Sequence, residues 1–507
     1  MEKFTEVQNT IPPPALESPV LGTGAFRRLE RLRRAHGATW DSPEDPNDPY
    51  NWTPSRKNLI AIIYSLGSLV TFMSAAMIAP ALKDIMHDLN IDALTAQIVF
   101  SVVFLGYGFG PFVVAALSEM YGRRMVWIYS QVFYVVWNAL SPVGSNKVII
   151  IVGRLMAGMG ASAGLALVGP VMADMYGKAD RGKSLAIASS LPYLGPALGP
   201  ILGGVVTELL SWRWVFWIMS IICAVLAVAS ILFIRETYTP ALLRQKAAMS
   251  STSSRTLTGD SPRYILGPAA PSLMNRLATN LLRPFKLLYQ RPIIQVLAFA
   301  QGLNFGVYSL LLSTYATLFQ GSKYHQTRTQ ASLHYFSITV AAFIVSQVGT
   351  RIEVVQVEEV GDEEEEGIPE YRVPYLVPAV LLVGIGIFLY GWAAETALHW
   401  IVVDIGACIL NIGGFAVVQG VLAYQLDEFG DYSASAGAAS RLLSYLMGFV
   451  FPIFAPALYN AVGYGWGNNV VGLAWVVLGF PVPVVLWVWG ARLRGIHWGK
   501  AGRDGEV

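Results

Sequence analysis

Residues 214–234 have the sequence WVFWIMSIICAVLAVASILFI, a run of 21 residues without a charged side chain. A helix needs about 20 mostly apolar residues to cross a bilayer, so this stretch predicts a membrane span. A helix is the expected form, because an open strand would leave backbone polar groups unsatisfied in lipid. Eleven similar runs occur, and the twelve predicted spans, numbered 1 to 12 in chain order, are residues 58–80, 94–117, 126–144, 148–173, 184–208, 214–234, 293–319, 331–350, 374–394, 399–425, 436–460 and 469–490.

The composition of the whole chain agrees with this interpretation. Hydrophobic residues make up 54% of the 507 residues and charged residues 13%, whereas a soluble domain carries about 25% charged residues. A soluble enzyme, a disordered chain and a nucleic-acid-binding protein are therefore excluded. The two cysteines, Cys223 and Cys408, are too few for a disulfide framework or a cysteine-based zinc site, so we expect neither a metal nor another cofactor.

The order of the predicted spans divides the chain into five parts. These are a tail (1–57), six spans (58–235), a polar linker (236–290), six further spans (291–490) and a second tail (491–507). Such a layout predicts two six-helix bundles that face each other, with a binding site between them near the middle of the membrane. The expected fold class is an all-α integral membrane protein, present in the lipid bilayer as a monomer.

Lysine and arginine are unevenly distributed between the two sets of loops. The tails, the linker and the loops on their side carry most of these residues, whereas the opposite loops hold only Lys83, Lys147, Arg213, Lys323 and Arg328. Because cytoplasmic loops are enriched in lysine and arginine, both termini and the linker are predicted to be cytoplasmic. The expected location is the plasma membrane, with a vacuolar or vesicle membrane as the alternative.

A short turn between spans 2 and 3 carries several charges. In residues 118–124, SEMYGRR, Gly122 permits a tight bend. Glu119 and the two arginines can pair with each other or with a neighbouring helix end, which would stabilise one conformation over another. The alternative is that the two arginines only anchor the loop on the cytoplasmic side.

Span 4 contains Arg154, the one basic residue in the first six spans that is not near an end. A buried arginine is costly in a membrane and therefore indicates a function. The alternative is that Arg154 lies about one turn from the outer face and extends its side chain to water. The sequence leaves both interpretations open.

Span 5 contains the sequence GPALGPILGG at residues 195–204. Its glycines recur every four residues and share one helix face, where another backbone can approach closely. Its prolines remove backbone donors and favour a kink. A bent groove suits a moving interface, although a static packing seam would also need small residues. The motif consists of Gly195, Pro196, Gly199, Pro200, Gly203 and Gly204.

Together these patterns resemble the major facilitator superfamily, in particular its fungal branch of twelve-span drug:proton antiporters, which includes secondary-metabolite efflux pumps and polyamine transporters. Residues 119–124 resemble the family's signature loop, and residues 154–162 resemble the span-4 motif that the family associates with proton coupling. Residues 195–204 resemble its antiporter motif, which distinguishes exporters from importers. The resemblance covers roughly residues 38–495 and implies the major facilitator fold, with twelve transmembrane helices in two bundles.

Several positions depart from the family pattern. The family usually has glycine where Ala115 stands and arginine where Met120 stands. In span 11 the branch usually has Asn-Thr-x-x-Arg, but the arginine of this chain, Arg441, is displaced by about one helical turn. A role carried over to Arg441 is therefore open.

Polar side chains inside the spans are candidates for the lining of a cavity, because a polar group in lipid needs a partner or water. In span 7 they recur at spacings of three and four and so share one face, and span 3 has the same spacing. We favour the cavity for the span-7 residues, and for all of them bonding between helices remains the alternative. The candidates are Gln131, Asn138, Gln301, Asn304, Tyr308, Asn411 and Gln419.

The predicted function is transport rather than catalysis, namely proton-driven export of a small amphipathic organic compound such as a fungal secondary metabolite, toxin or drug. Acidic residues such as Asp174 and Asp404 lie near span ends, which argues against a multiply charged cation as cargo. The resemblance makes Arg154 a proton-coupling candidate. Among the other titratable residues Asp174 is the second candidate, and Glu119, Asp404 and His399 are further ones. The alternatives are a polyamine or nutrient transporter on the same fold and a membrane sensor that does not transport.

Overall fold

The structure is a computed structural model. It describes residues 29–30, 32–33, 39–144, 146–176, 191–246, 282, 285–349, 351, 369–429 and 433–496, and within these residues every regular element is a helix. Most of the predicted linker and the beginning of predicted span 5 lie outside the described residues. The contacts divide the chain into two units, of which the first consists of residues 1–52 and 239–263 and the second of residues 53–238 and 264–507.

In the first unit, Lys246 is the centre of a small polar network. Its ammonium nitrogen lies 2.7 Å from a carboxylate oxygen of Asp41 and 3.7 Å from one of Asp45. It also donates to the carbonyl oxygen of Thr39 at 3.4 Å. These contacts connect two stretches of chain that are far apart in sequence.

The first half of the second unit contains spans 1 to 6. Span 1 passes through the 3-10 turn Ala79–Ala81, where Pro80 cannot donate a backbone hydrogen bond. The helices are Pro54–Ala76 and Leu82–Leu89 in span 1, Ala93–Tyr121 in span 2, Arg123–Leu140 in span 3, Lys147–Ala161, Ala163–Ala166 and Val168–Met175 in span 4, Gly195–Leu209 in span 5, and Arg213–Phe233 in span 6.

The second half of the second unit contains spans 7 to 12. Span 8 is interrupted at His334 and Tyr335 and ends in the π-helical turn Val345–Gly349. The helices are Pro292–Phe319 in span 7, Arg328–Leu333 and Phe336–Ile344 in span 8, Val373–Glu395 in span 9, Trp400–Phe429 in span 10, Ser433–Leu478 in spans 11 and 12, and Pro481–Gly495 in span 12.

Nine segments of the described residues are long and apolar enough to cross a membrane. Spans 11 and 12 count as one of them, Ala436–Gly495, although Gly463 with φ 78° interrupts the helical geometry. Spans 3 and 5 are not among the nine, because span 3 begins with two arginines and the described helix of span 5 has only 15 residues. Each of the twelve predicted apolar runs nevertheless overlaps with helical residues.

Local sequence explains where several helices begin and end. Gly122, with φ 94°, ends span 2 and lets the chain reverse into span 3, a conformation that glycine adopts without strain. Thr327 begins span 8 with a capping box. Its hydroxyl accepts from the backbone N–H of Gln330, whose side chain accepts from the N–H of Thr327.

Glycines bring neighbouring helices close together in both halves. A Cβ atom at Gly106 of span 2 would lie 2.6 Å from the carbonyl oxygen of Leu155 in span 4. A Cβ atom at Gly413 of span 10 would lie 2.5 Å from the backbone nitrogen of Val383 in span 9. In both places only a glycine allows the two backbones to touch, as in other tightly packed membrane helices.

Candidate functional site

Aromatic rings join the two halves of the second unit midway along the spans. Phe104 and Tyr107 of span 2 lie against Phe305 of span 7 and Tyr445 of span 11. The ring centroids are 5.4 Å apart for Phe104–Phe305, 5.8 Å for Tyr107–Tyr445 and 5.2 Å for Phe305–Tyr445, each in an edge-to-face arrangement. Tyr308 extends the group, 5.6 Å from Phe305. We call these five rings the aromatic cluster.

The aromatic cluster offers apolar ring faces with a few phenol hydroxyls, which is the usual lining of a site for a small organic compound. The hydroxyl of Tyr107 already donates to the carbonyl oxygen of Thr71 at 2.5 Å. Phe305 and Tyr308 are only half-buried. They are therefore the rings that a ligand can reach most directly.

The three candidates in span 7 have different environments. Tyr308 belongs to the aromatic cluster and contacts Phe415 of span 10, with 6.1 Å between the ring centroids. Asn304 is buried and donates to the carbonyl oxygen of Gly414 in span 10 at 3.0 Å. Gln301 lies nearly one turn earlier and is also buried. Tyr308 thus lies at the ring surface, whereas Asn304 bonds one helix to another.

The two candidates in span 3 bond to span 6. Asn138 donates to the carbonyl oxygen of Phe216 at 2.8 Å and to the hydroxyl of Ser220 at 2.9 Å. Gln131 accepts from the hydroxyl of Ser230 at 3.3 Å. These bonds hold two helices of the same half together. The structure therefore supports the packing alternative for Gln131 and Asn138.

The two candidates in span 10 also have partners within the second half. The amide of Asn411 donates to the carbonyl oxygen of Ala407, one turn earlier in its own helix, at 2.7 Å. Gln419 accepts from the hydroxyl of Tyr375 in span 9 at 3.4 Å. Neither bond brings these side chains to the aromatic cluster.

Arg154 lies inside the first half and is fully buried. Its guanidinium donates to the carbonyl oxygen of Ser74 in span 1 at 2.8 Å and to that of Phe100 in span 2 at 3.2 Å. Longer contacts reach the carbonyl oxygens of Val99 at 3.4 Å and Ala75 at 3.5 Å. A side chain held in this way does not extend to water, so the alternative interpretation of Arg154 is wrong. The guanidinium instead ties span 4 to spans 1 and 2.

The turn at Gly122 is held by a carboxylate from the end of span 6. Glu236 accepts from the backbone N–H of Arg123 at 2.8 Å and of Arg124 at 3.1 Å, and thereby caps the positive end of span 3. The guanidinium of Arg123 lies 3.5 Å from Asp174 of span 4, so two predicted site residues are brought together. The sequence predicted that Glu119 and the two arginines pair with each other or with a neighbouring helix end, and Glu236 was not identified as a partner.

The glycine face of span 5 packs against span 1 of the same half. A Cβ atom at Gly199 would lie 2.5 Å from the carbonyl oxygen and 2.9 Å from the Cα of Met73. Gly195 and Gly203 face the same helix, beside Phe72 and Met77. The backbones are in contact along this seam.

Gly204 differs from the other glycines of span 5, because it faces the second half. A Cβ atom there would lie 2.8 Å from the carbonyl oxygen of Arg328 and would also meet the side chain of Ser332, both in span 8. The contact at Gly204 therefore belongs to the interface between the two halves.

The two prolines of the motif lie within a helix that is not interrupted. Pro196 stands in the first turn of this helix, which continues through Pro200 to Leu209.

We call the side of the molecule that carries the Gly122 turn the near side and the opposite side the far side. On the far side, polar contacts join the two halves. Arg328 of span 8 lies 2.6 Å from Asp84 and donates to the carbonyl oxygen of Thr207 at 3.3 Å. The N–H of Thr329 donates to Glu208 at 2.8 Å. We call these five residues the far-side gate, and in this structure their contacts hold the two halves together on that side.

The residues of the far-side gate form no motif that could be recognised in the sequence. Asp84 and Arg328 are more than 200 residues apart and lie at span ends, where charged residues are common. His334, which follows the gate residues of span 8, pairs with Asp404 at 2.8 Å and was not identified either. Within the described ranges, no group of three or more His, Cys, Asp or Glu side chains is arranged to hold a metal ion.

Comparison with known proteins agrees with this architecture. A family model described as Major Facilitator Superfamily matches residues 64–452. The "Probable efflux pump mfs2" of Aspergillus flavus is 34% identical over 423 residues, which cover 83% of this chain and 99% of the relative. The "MFS-type transporter oryF" of Aspergillus oryzae is 34% identical over 453 residues, which cover 89% of this chain and 93% of the relative.

The fold is also similar to that of solved structures. The crystal structure of a D-xylose-proton symporter matches with a TM-score of 0.61 at 16% identity, over 85% of this chain and 97% of the symporter. At this identity the similarity concerns the fold alone. The family model, in contrast, matches most of the chain by sequence. The chain therefore belongs to the major facilitator superfamily, whose members are multi-pass membrane transporters of small molecules and not enzymes.

Proposed function

We propose that this transporter exports a small amphipathic organic compound, such as a fungal secondary metabolite, toxin or drug, in exchange for protons. The observation that carries the proposal is the aromatic cluster between the two halves. Its accessible rings, Phe305 and Tyr308, present apolar faces to a compound with few polar groups. A relative that aligns over nearly its whole length bears the name of an efflux pump.

The mechanism that fits this site is alternating access, in which the two halves rock around a central binding site. The far-side gate with its contacts formed corresponds to one of the two conformations that this mechanism needs. Opening it requires the ion pair between Asp84 and Arg328 to separate. The two residues are partly exposed, so the cost of separation is modest, on the order of 1 kcal/mol or less.

Proton coupling belongs to this proposal. The candidates from the sequence are Arg154 and Asp174, and their environments differ. Asp174 lies close to Arg123 of the signature loop, so a change in its charge would act on the near-side turn. Arg154 holds spans 1, 2 and 4 together through backbone carbonyls, which favours a positioning role. We further propose a monomer in the plasma membrane with both termini in the cytoplasm.

The test uses the full chain in phosphatidylcholine liposomes with an acidic interior. Rhodamine 6G, an amphipathic monocation, serves as the probe, and spermidine represents the polyamine alternative. We expect the dye to accumulate as protons leave, and the accumulation to stop when a protonophore collapses the gradient. Spermidine should not accumulate. If spermidine is transported in preference to the dye, the polyamine alternative is correct. If neither probe nor protons are transported, the result favours a membrane sensor that does not transport.

A pair of phenylalanine variants connects the assay to the aromatic cluster. Phe305→Ala removes a central ring, and the loss of one aromatic contact with the dye, worth about 0.5–1.5 kcal/mol, should weaken dye binding roughly two- to tenfold. Phe454→Ala in span 11 is the control, because this ring is 59% exposed and lies outside the cluster. Equal dye transport by both variants would contradict the assignment of the cluster as the binding surface.

A further inference from the structure

A second polar site lies within the second half, between spans 7, 8 and 10. The imidazole of His334 has its Nδ1 atom 2.8 Å and 3.0 Å from the two carboxylate oxygens of Asp404. The hydroxyl of Tyr315 donates to Asp404 at 2.6 Å. The side chain of His334 is 8% exposed and that of Asp404 is 18% exposed. A carboxylate and an imidazole thus meet in a largely buried position.

Both nitrogens of the imidazole face oxygen atoms. While Nδ1 faces Asp404, Nε2 lies 2.8 Å from the amide oxygen of Gln326. With the amide in this orientation and Asp404 ionised, a neutral imidazole, which carries a single N–H, can donate to one of the two acceptors, whereas a protonated ring donates to both. The ring also stacks on Phe319 with 3.6 Å between centroids. The far-side gate with its contacts formed is therefore observed together with a geometry that fits a protonated His334.

His334 is the positively charged partner that we find for Asp404 among the described residues. In the described part of the chain, the ion pairs that we find for Asp404 involve His334 alone. Lys323, which lies on the same side, donates to the carbonyl oxygens of Ala394 and Glu395 and pairs with the Glu395 carboxylate. The titratable groups that face the pair, directly or through Tyr315, are Tyr315 of span 7, Tyr324 of the following loop, Tyr335 of span 8, Tyr390 of span 9 and Cys408 of span 10.

The position of His334 connects the pair to the far-side gate. His334 lies at the interruption of span 8, directly after the helical segment Arg328–Leu333. That segment carries Arg328 and Thr329, which make the gate contacts to Asp84 and Glu208. A change in how His334 is held would therefore act on the segment that closes the gate.

We propose that His334 and Asp404 form a proton-binding site that controls the far-side gate. A proton taken from water on the far side occupies an imidazole nitrogen and makes His334 a double donor. The ring then holds Asp404 and Gln326 together and keeps the Arg328–Leu333 segment against the first half. When the proton returns to water, one of the two hydrogen bonds is lost and the gate opens more readily. This inference rests on the proposed function in taking the proton as the coupled ion.

The gate itself can be followed without a transported compound. Spin labels on His87→Cys and Ser322→Cys, exposed residues of the two halves on the far side, report the distance across the gate. The full-length reference chain also carries Cys223→Ala and Cys408→Ala, so that only the two new thiols react. It is placed in phosphatidylcholine nanodiscs, and the distance distribution is measured at about pH 5 and about pH 8, the range in which histidine changes charge.

We expect a single short distance at the lower pH and an additional longer distance at the higher pH. His334→Gln should remove this pH dependence, because glutamine does not bind a proton, and Asp404→Asn should remove it as well. His334→Lys carries a fixed charge and should keep the short distance at both pH values. The control is His325→Asn, because His325 is exposed and lies nine residues before His334, and asparagine tolerates its φ of 51°. This variant should behave as the reference chain does.

A reference chain without pH dependence, or a His334→Gln variant that retains it, would overturn the proposal. If His334→Gln does not fold, Gln326→Leu decides, since it removes the acceptor of Nε2 and leaves the pair intact. It must increase the longer distance at about pH 5, and an unchanged distribution would refute the site. If the gate responds to pH through His334 but the protein does not transport rhodamine 6G, the proposed export is refuted and the proton site is not. Intact dye export with an unresponsive gate would refute the proton site alone.

Discussion

Arg154 shows at the scale of one residue how a buried charge is stabilised without a carboxylate. Arg154→Ala would remove the hydrogen bonds that the guanidinium donates to the carbonyl oxygens of Ser74 and Phe100, and a hydrogen bond to a charged group contributes about 1.5–3 kcal/mol. We expect a lower thermal unfolding midpoint of the purified protein and weaker rhodamine 6G transport per molecule. Arg154→Lys should have a smaller effect, because lysine keeps three of the five donors.

The matched control for this prediction is Arg235→Ala. Arg235 is exposed at the end of span 6. Its replacement should leave the unfolding midpoint and the transport rate close to those of the parent protein. If Arg154→Ala unfolds and transports like Arg235→Ala, the carbonyl contacts are not what makes Arg154 important.

For single residues, the sequence could predict the span and the helix face on which a side chain lies, but not its depth or its partners in other helices. The apolar neighbours of Arg154 placed it inside a span, but its depth depends on the surrounding helices, so burial and contact with water could not be distinguished. The spacing of Gln131 and Asn138 predicted a shared face but not the helix that this face meets, which is span 6. His334 was missed because its partner, Asp404, is 70 residues away and the two form no local motif.

At the scale of a helix, span 5 makes two contacts with different consequences. Gly204→Leu places a side chain where span 8 of the other half lies, with the Arg328 carbonyl oxygen 2.8 Å from the Cβ position. Overpacking costs about 1–3 kcal/mol, which is comparable to the free-energy difference between transporter conformations. We expect a protein of normal thermal stability whose far side stays open, measured as a longer distance between labels at residues 87 and 322.

Two other glycine variants serve as controls for this prediction. Gly199→Leu would press on the Met73 backbone within one half, so it should lower thermal stability rather than favour one conformation. Gly169→Leu in span 4 should change neither property, because no atom of the residues that the structure describes lies within 4 Å of its Cβ position. A Gly204→Leu protein with a normally closed gate would show that span 5 is not part of the moving interface.

The glycine motif also shows how far sequence reasoning reaches for an element. A repeat of four residues correctly predicted a helix face that a second backbone touches. It could not indicate that span 1 is the neighbour of three glycines and span 8 the neighbour of the fourth, since these partners are set by the fold as a whole.

At the scale of the whole molecule, the distribution of lysine and arginine predicts the orientation in the membrane. We expect the tails and the 236–290 linker to be cytoplasmic. In intact cells, a tobacco etch virus protease site inserted in that linker should resist protease added outside. The same site inserted beside Ser322, on the far side, should be cut. Cleavage in the linker with protection at Ser322 would reverse the assigned orientation.

The contact between Glu236 and the start of span 3 determines where the protein can be divided into two separately expressed polypeptides. Glu236 belongs to the same half as Arg123 and Arg124, whose N–H groups it binds, although it is the first residue of the predicted linker. If the chain is divided after Tyr238, the first polypeptide keeps Glu236 together with the two N–H groups that it binds. If the chain is divided before Glu236, the capping carboxylate belongs to the second polypeptide and the turn lacks it. The natural boundary for a split version of this transporter therefore lies beyond the apolar end of span 6.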